Sequence, residues 1–292
     1  MRHCNLPGGA AMPVLGLGTW RMGEDAGRRR AEVAAVRGAI AMGYRLIDTA
    51  EMYGEGGAET VVGEALAGAL RAGEVRREEL FVVSKVYPHN AGRRGTLAAC
   101  DRSRSRLGLD RIDLYLLHWR GRFSLRETCT AMQALVADQR IANWGVSNFD
   151  TADMNELLTV QKQLGTAAAP AAACATNQVY YCLSGRGPEF SLLPWMRARH
   201  IPLMAYSPID QGALATDPVL RTVGMRHGAS AAQIALAWVA SQDGVVAIPK
   251  AVREAHLREN LAAMQITLIA QDIAELERRF PPPKSKTPLA VL

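Results

Sequence analysis

Eight short apolar runs, each followed by a helix-patterned segment, constrain this chain more than any other feature. The runs lie near residues 15–18, 45–49, 80–85, 112–118, 141–146, 174–178, 202–206 and 244–248. Periodic or Ala/Leu-rich segments near 29–42, 57–72, 94–107, 126–138, 151–161, 190–199 and 229–241 predict the intervening helices. Two further helical patterns, near 254–264 and 271–279, follow the eighth run. A strand that is apolar on both faces must be covered on both, as in a parallel sheet wrapped by helices. Eight such units in 292 residues predict an α/β fold, a (β/α)8 TIM barrel forming one domain over residues 1–292. The Gly- and Pro-marked stretch from Leu6 to Leu15 predicts an N-terminal β-hairpin, and the last two helices are extra C-terminal ones. An open doubly wound sheet would want a G-x-G-x-x-G turn after its first strand. Gly16-Leu17-Gly18-Thr19-Trp20 does not supply one.

Cap signals sharpen some boundaries. Asp150 with Asp153 starts the helix that carries Met154, Leu157 and Leu158, and Ser230 with Gln233 forms a capping box. Gly228, two residues earlier, reads as the turn that lets the chain enter that helix. The Ala-rich stretch from Gly165 to Ala173 reads as a loop before the sixth strand.

Composition excludes several classes. Five cysteines (Cys4, Cys100, Cys129, Cys174, Cys182) form no C-x-x-C pair, so neither a disulfide framework nor a zinc knuckle is expected. With no signal-peptide core and no apolar stretch of transmembrane length, a cytoplasmic protein without a membrane partner is expected. The six histidines give no H-x-H or H-E-x-x-H pattern, so no metal is expected. The charge of +6 comes from dispersed arginines without interleaved aromatics, which argues against nucleic acid and fits a phosphate-bearing cofactor. A closed barrel leaves no sheet edge demanding a partner, so a monomer is expected.

Chemistry gathers where three consecutive runs end. Asp48 shares a strand face with Leu46, Lys85 with Phe81 and Val83, and His118 with Ile112, Leu114 and Leu116. If those faces point inward, the three groups meet at the carboxyl mouth of the barrel, with Tyr53 on the loop beyond Asp48. A phenol with its ordinary pKa of ~10 is a poor acid at neutral pH. A neighbouring Lys85 cation is expected to lower that value, with Asp48 holding the lysine and a neutral His118 orienting a carbonyl. Such a set donates a proton to a carbonyl oxygen as it gains charge, which suits hydride transfer from a reduced nicotinamide.

At these residues the chain resembles the aldo-keto reductases. The matching strings run in order: Gly16-Leu17-Gly18-Thr19-Trp20, then Leu46 through Gly54, Val83-Ser84-Lys85 and Leu116-Leu117-His118-Trp119. Trp144-Gly145-Val146-Ser147-Asn148, Asn177-Gln178-Val179, Tyr206-Ser207-Pro208, Ile248-Pro249-Lys250 and Glu259-Asn260 follow, so the likeness spans residues 16 to 260. The wording of residues 48–53 and 83–88 is most similar to a bacterial branch that includes methylglyoxal reductases. The resemblance implies a catalytic tetrad of Asp48, Tyr53, Lys85 and His118, with Tyr53 as general acid, and an NADPH site. Ser147, Asn148 and Gln178 would bind the nicotinamide carboxamide and Tyr206 would stack on the ring. Ser207, Ile209 and Gly212 would follow the pyrophosphate, Lys250 would reach the 2′-phosphate, and Glu259 and Asn260 would hold the adenine. Where the family commonly has an arginine after this lysine, the chain has His256. Arg253 and Arg258 flank it and would compensate, Arg253 being the better placed on the loop near Lys250, and NADH is expected to be tolerated beside NADPH.

Trp20 and Trp119 stand beside strand ends and are expected to wall the substrate pocket. Short loops, and only twelve residues from Pro281 to Leu292, imply an open pocket for small aldehydes and 2-oxoaldehydes. Arg120 and Arg122 would favour a carboxylated or phosphorylated one. Alternatives are a reductase of keto-sugar acids or ketones, a nicotinamide-binding regulatory protein, and a barrel aldolase using Lys85 as a Schiff base.

Overall fold

The computed structural model describes residues 2–165 and 173–292. The Ala-rich loop predicted over Gly165 to Ala173 thus lies almost entirely outside the described residues. Eight parallel strands form one sheet in sequence order: β3 (Gly16–Gly18), β4 (Leu46–Asp48), β5 (Phe81–Val86), β6 (Ile112–Leu117), β7 (Ile141–Ser147), β8 (Cys174–Tyr180), β9 (Leu203–Tyr206) and β10 (Val245–Ala247). Isolated bridges Leu15↔Ala247 and Gly18↔Lys250, with hydrogen bonds Ala247 N–H to Val14 O (2.8 Å) and Gly18 N–H to Pro249 O (3.0 Å), stitch the seam. At that seam a Cβ on Gly18 would stand 2.8 Å from the Ile248 carbonyl oxygen, so the two backbones meet only because residue 18 is glycine.

The expected alternation is realised. Leu46, Phe81, Val83, Leu114, Leu116, Ala175, Met204, Val246 and Ile248 fill the barrel interior, while neighbours such as Ile47, Val82 and Tyr115 pack outward against the helices. Ile112, the first residue of β6, belongs to the outer layer, so the face predicted for His118 is shared by Leu114 and Leu116 alone. Two hairpin strands, β1 (His3–Asn5) and β2 (Ala11–Pro13), pair antiparallel and send Leu6 and Met12 into the interior cluster. The hairpin begins before Leu6, because its first strand is the polar His3-Cys4-Asn5, which carries no hydrophobic signal.

The outer layer holds α1 (Arg29–Ala41), α2 (Gly57–Arg71), α3 (Arg93–Leu107), α4 (Leu125–Ala137), α5 (Thr151–Gln163), α6 (Leu192–Arg197) and α8 (Ala231–Ser241). The two extra helices α9 (Glu254–Ala263) and α10 (Ala270–Arg279) follow. Both predicted caps are formed: Asp150 accepts from the Ala152 and Asp153 N–H groups, and Ser230 accepts from Gln233 N–H. One helix is additional to the sequence reading, α7 (Pro218–His227), capped by Asp217 with Pro218 in its first turn. Gly228, read as an entrance to α8, is instead the left-handed residue that ends α7 (φ 59°, ψ 33°).

Candidate active site

Three glycines set the loop that carries Tyr53. A Cβ on Gly57 would lie 2.3 Å from Gly23 O, and one on Gly54 would lie 2.8 Å from the same carbonyl. Gly23 itself has φ +73° and room for no side chain. The Tyr53–Gly56 turn therefore packs backbone to backbone against the segment after β3, with its tyrosine over the strand ends.

Asp48, Lys85 and His118 do meet there. Lys85 is fully buried, and its three ammonium hydrogens have three acceptors: Asp48 Oδ2 at 2.7 Å, Thr49 O at 2.9 Å and Tyr53 Oη at 3.2 Å. Asp48 Oδ1 takes a further hydrogen bond, from Gln178 Nε2 at 2.7 Å. The Tyr53 and His118 rings meet edge to face with centroids 5.6 Å apart, and Trp119 tilts against the imidazole at 4.8 Å.

Burial and charge compete at each group. Burial pushes the Tyr53 phenol up, Lys85 pulls it back and Asp48 adds to the rise, with a net upward shift. The expected lowering by Lys85 is thus outweighed by desolvation, which penalises the phenolate. Burial pulls the Lys85 ammonium down, but Asp48 and Tyr53 outweigh it and the net direction is up. His118 is held well below the ordinary histidine value by burial and by the nearby Lys85 charge, so its ring is neutral. Its Nδ1 is buried without a hydrogen-bond partner among the described residues.

These groups open into a cavity of about 790 Å³, within the usual range for small-molecule sites. Asp48, Tyr53, His118, Trp20 and Trp119 line one part of it. Ser147, Asn148, Gln178, Tyr206, Ser207, Ile209, Gly212, Lys250 and His256 also line it, so nine of the twelve residues assigned to a cofactor border the same cavity. Ser147 Oγ donates to Gln178 O at 2.8 Å, and Tyr206 Oη donates to Asn148 Oδ1 at 3.0 Å. Asn148 and Ser207 hold left-handed backbone (φ 59° and 49°) at the ends of β7 and β9. Burial raises the Tyr206 phenol to about 12.

Three assigned residues stand elsewhere. Asn260 is buried beside Tyr44, while Arg253 and Glu259 are exposed on or next to α9 and absent from the cavity wall. Arg120 does reach the wall, but Glu156 (2.6 Å) and Asp153 (3.0 Å) engage its guanidinium. Among the described residues, Arg21 and Lys250 line the cavity without an ion-pair partner, and Arg21 stacks 4.4 Å over Trp20. Nothing in the sequence pattern pointed to Arg21. The short tail reaches further than its length implied: Val291 and Leu292 line the cavity, and Leu292 N–H lies 3.4 Å from Tyr206 Oη.

The family model described as "Aldo/keto reductase family" matches residues 14–279. The chain belongs to the aldo/keto reductase family. Among its relatives is the methylglyoxal reductase YeaE of Escherichia coli K12, 48% identical over 287 residues, covering 97% of this chain and 96% of that one. A glyoxal reductase of Bacillus subtilis 168 is 35% identical over 272 residues, covering 93% and 90%. An aldo-keto reductase from Klebsiella pneumoniae, solved in complex with NADPH, superposes with a TM-score of 0.90 at 43% identity, covering 100% of this reductase and 99% of its own chain. Among the described residues, no helix of this aldo/keto reductase is long and apolar enough to cross a membrane.

Proposed function

We propose that this aldo/keto reductase uses NADPH to reduce small aldehydes and 2-oxoaldehydes of the methylglyoxal type, with Tyr53 as the proton donor. One observation carries the reading. Lys85 Nζ donates to Tyr53 Oη, so the phenolic hydrogen is not spent on the lysine and is free for an acceptor in the cavity. NADPH, when bound, supplies the hydride that reaches the carbonyl carbon. Tyr53 gives its O–H proton to the carbonyl oxygen, and the electron pair left on Oη is stabilised by Lys85 at 3.2 Å. His118, neutral and buried, orients that oxygen without placing a second cation beside Lys85.

The cavity wall fits the cofactor chemically. Ser147, Asn148 and Gln178 present hydroxyl and amide groups for a carboxamide, with Tyr206 against the ring. Ser207, Ile209 and Gly212, which line the same cavity, are the groups assigned to the pyrophosphate in this reading. Lys250 and Arg21 are the cationic groups for phosphate, with the His256 ring lining the same cavity. Arg253, the extended residue before α9, and Glu259, on α9, lie three residues either side of His256 and are assigned to the adenine end in this reading. Asn260 supports that end from its buried position. Because His256 replaces a guanidinium, NADH is tolerated in this reading.

Trp20 and Trp119 wall the carbonyl end. Arg120 is committed to Glu156 and Asp153, and Arg122 is exposed and outside the cavity lining, so neither guanidinium is offered to a carboxylated aldehyde. The methylglyoxal- and glyoxal-reducing relatives support the same small substrates. Five free cysteines, four of them buried, support a cytoplasmic location, and the stitched barrel supports a monomer.

The test is oxidation of NADPH, with NADH in parallel, against methylglyoxal and 4-nitrobenzaldehyde, wild type beside Tyr53→Phe. Turnover that falls about 10²- to 10⁴-fold in Tyr53→Phe while NADPH still binds is expected. Full turnover in the variant would sink the assignment of the proton donor, and no binding of either nucleotide would sink the cofactor.

A further inference from the structure

Gln178 is joined to two parts of the site at once. Its backbone carbonyl accepts from Ser147 Oγ at 2.8 Å and from Asn148 N–H at 2.9 Å. Its side chain crosses the barrel interior and donates from Nε2 to Asp48 Oδ1 at 2.7 Å, linking residues 130 apart in sequence. Both residues are at most 2% exposed, and among the described residues the only other partner of Nε2 is the Met204 sulfur at 3.9 Å. Asp48 is then fully engaged, Oδ1 by Gln178 and Oδ2 by Lys85, and Lys85 passes the arrangement on to Tyr53 Oη. Three consecutive hydrogen bonds run from Gln178 to the phenol.

We propose that Gln178 is a positioning residue for the proton donor, acting on Tyr53 through Asp48 and Lys85. This rests on the assignment of Tyr53 as the proton donor and adds to the carboxamide-binding role given to Gln178 above. A carboxylate held by one partner can rotate about its bond to Cβ. A second donor on Oδ1 fixes its plane, so that Oδ2 meets Lys85 and the ammonium keeps its third hydrogen on Tyr53. The amide N–H also draws charge from Asp48, through the larger strength of hydrogen bonds to ionised groups.

The sign of the effect follows from the groups facing the phenol. These are Lys85 from β5, Asp48 from β4, His118 from the end of β6 and Tyr206 from β9. His118 and Tyr206 are neutral at neutral pH, which leaves Lys85 pulling the phenol down and Asp48 pushing it up. Removing the Gln178 donor strengthens the Asp48 field, so the phenol becomes harder to ionise.

The experiment uses the full chain with Gln178→Met, which keeps the length of the side chain and removes the donor, and Gln178→Glu, which sets a carboxylate against Asp48. Reduction of methylglyoxal at saturating NADPH is followed from neutral to strongly alkaline pH, with NADPH affinity measured alongside by fluorescence. Gln178→Met is expected to move the alkaline fall in rate upward by roughly half to one pH unit. Gln178→Glu is expected to move it further. Profiles in both variants that overlay the wild type would overturn the proposal, even if NADPH affinity drops, because the residue would then serve the cofactor alone. If Gln178→Met fails to fold, Gln178→Glu decides in the same way. Full turnover in Tyr53→Phe would instead remove the assignment beneath the proposal, so the two failures are told apart.

Discussion

On β5, Ser84 points outward to the Glu59 carboxylate of α2, and Lys85, the next residue, points inward to the Asp48 carboxylate of β4. Both residues are fully buried, and both carboxylates are within a few per cent of it. In the outer cluster Glu59 takes Ser84 Oγ at 2.5 Å and Arg106 Nε at 2.6 Å, so each oxygen ends on a group of the scaffold. In the inner cluster the chain of donors ends on Tyr53, which faces a cavity. Burial and ion pairing are common to both and mark neither as chemical. What separates them is whether the last member has a free hydrogen and somewhere to send it.

Substitutions on the two faces of β5 should therefore differ in kind. Lys85→Met is expected to lower the reductive rate by about 10²- to 10⁴-fold, measured by single-turnover hydride transfer, while NADPH still binds. Arg106→Ala leaves the Glu59 carboxylate buried without its cation and is expected to cost roughly 3–5 kcal/mol in a urea melt. Its turnover per folded molecule should match the wild type. Comparable loss of turnover in both variants would erase the distinction.

The pH dependence sharpens the same contrast. Tyr53 must be protonated to act as an acid, and its pKa is raised by burial, so its donor form persists as pH rises. Reduction is expected to hold through neutral pH and to fall only above about pH 10, the ordinary phenol value. Oxidation of the alcohol, which needs the phenolate, should rise over the same interval. His118 stays neutral, so a stopped-flow profile showing an inflection near the ordinary histidine value of ~6.5 would contradict its buried state. The smallest effect belongs to a position distant from both clusters. Ser230→Ala, which removes the α8 cap, is expected to lose about 1 kcal/mol in thermal unfolding with unchanged turnover.

Much of this was legible in the sequence. The period-2 faces of Leu46-Asp48 and Val83-Lys85 placed both ionisable groups inside the barrel, because a closed sheet with a filled interior leaves no other arrangement. The parts that escaped depend on contacts. Helix α7 was missed because Gly224 lies inside it and its polar face is broad, although Asp217-Pro218 was a usable start signal. The outcome at Tyr53 turned on how deeply the loop buries it, and Arg120 was tied up by side chains more than thirty residues away. The left-handed backbone of Asn148 and Ser207 falls on the residues directly after β7 and β9, where the strands end at the cavity, and no local residue pattern announces it. The Gln178–Asp48 contact joins strands that are not neighbours in the sheet, so it appears only when the barrel closes.

The N-terminal hairpin gives the molecule a traffic rule. With Leu6 and Met12 seated in the interior cluster, the hairpin stoppers one end of the barrel, and the cavity is lined by residues at the other, where the strands end. Two reactants that must meet at the same end of a stoppered barrel form a queue: whichever lies deeper arrives first and departs last.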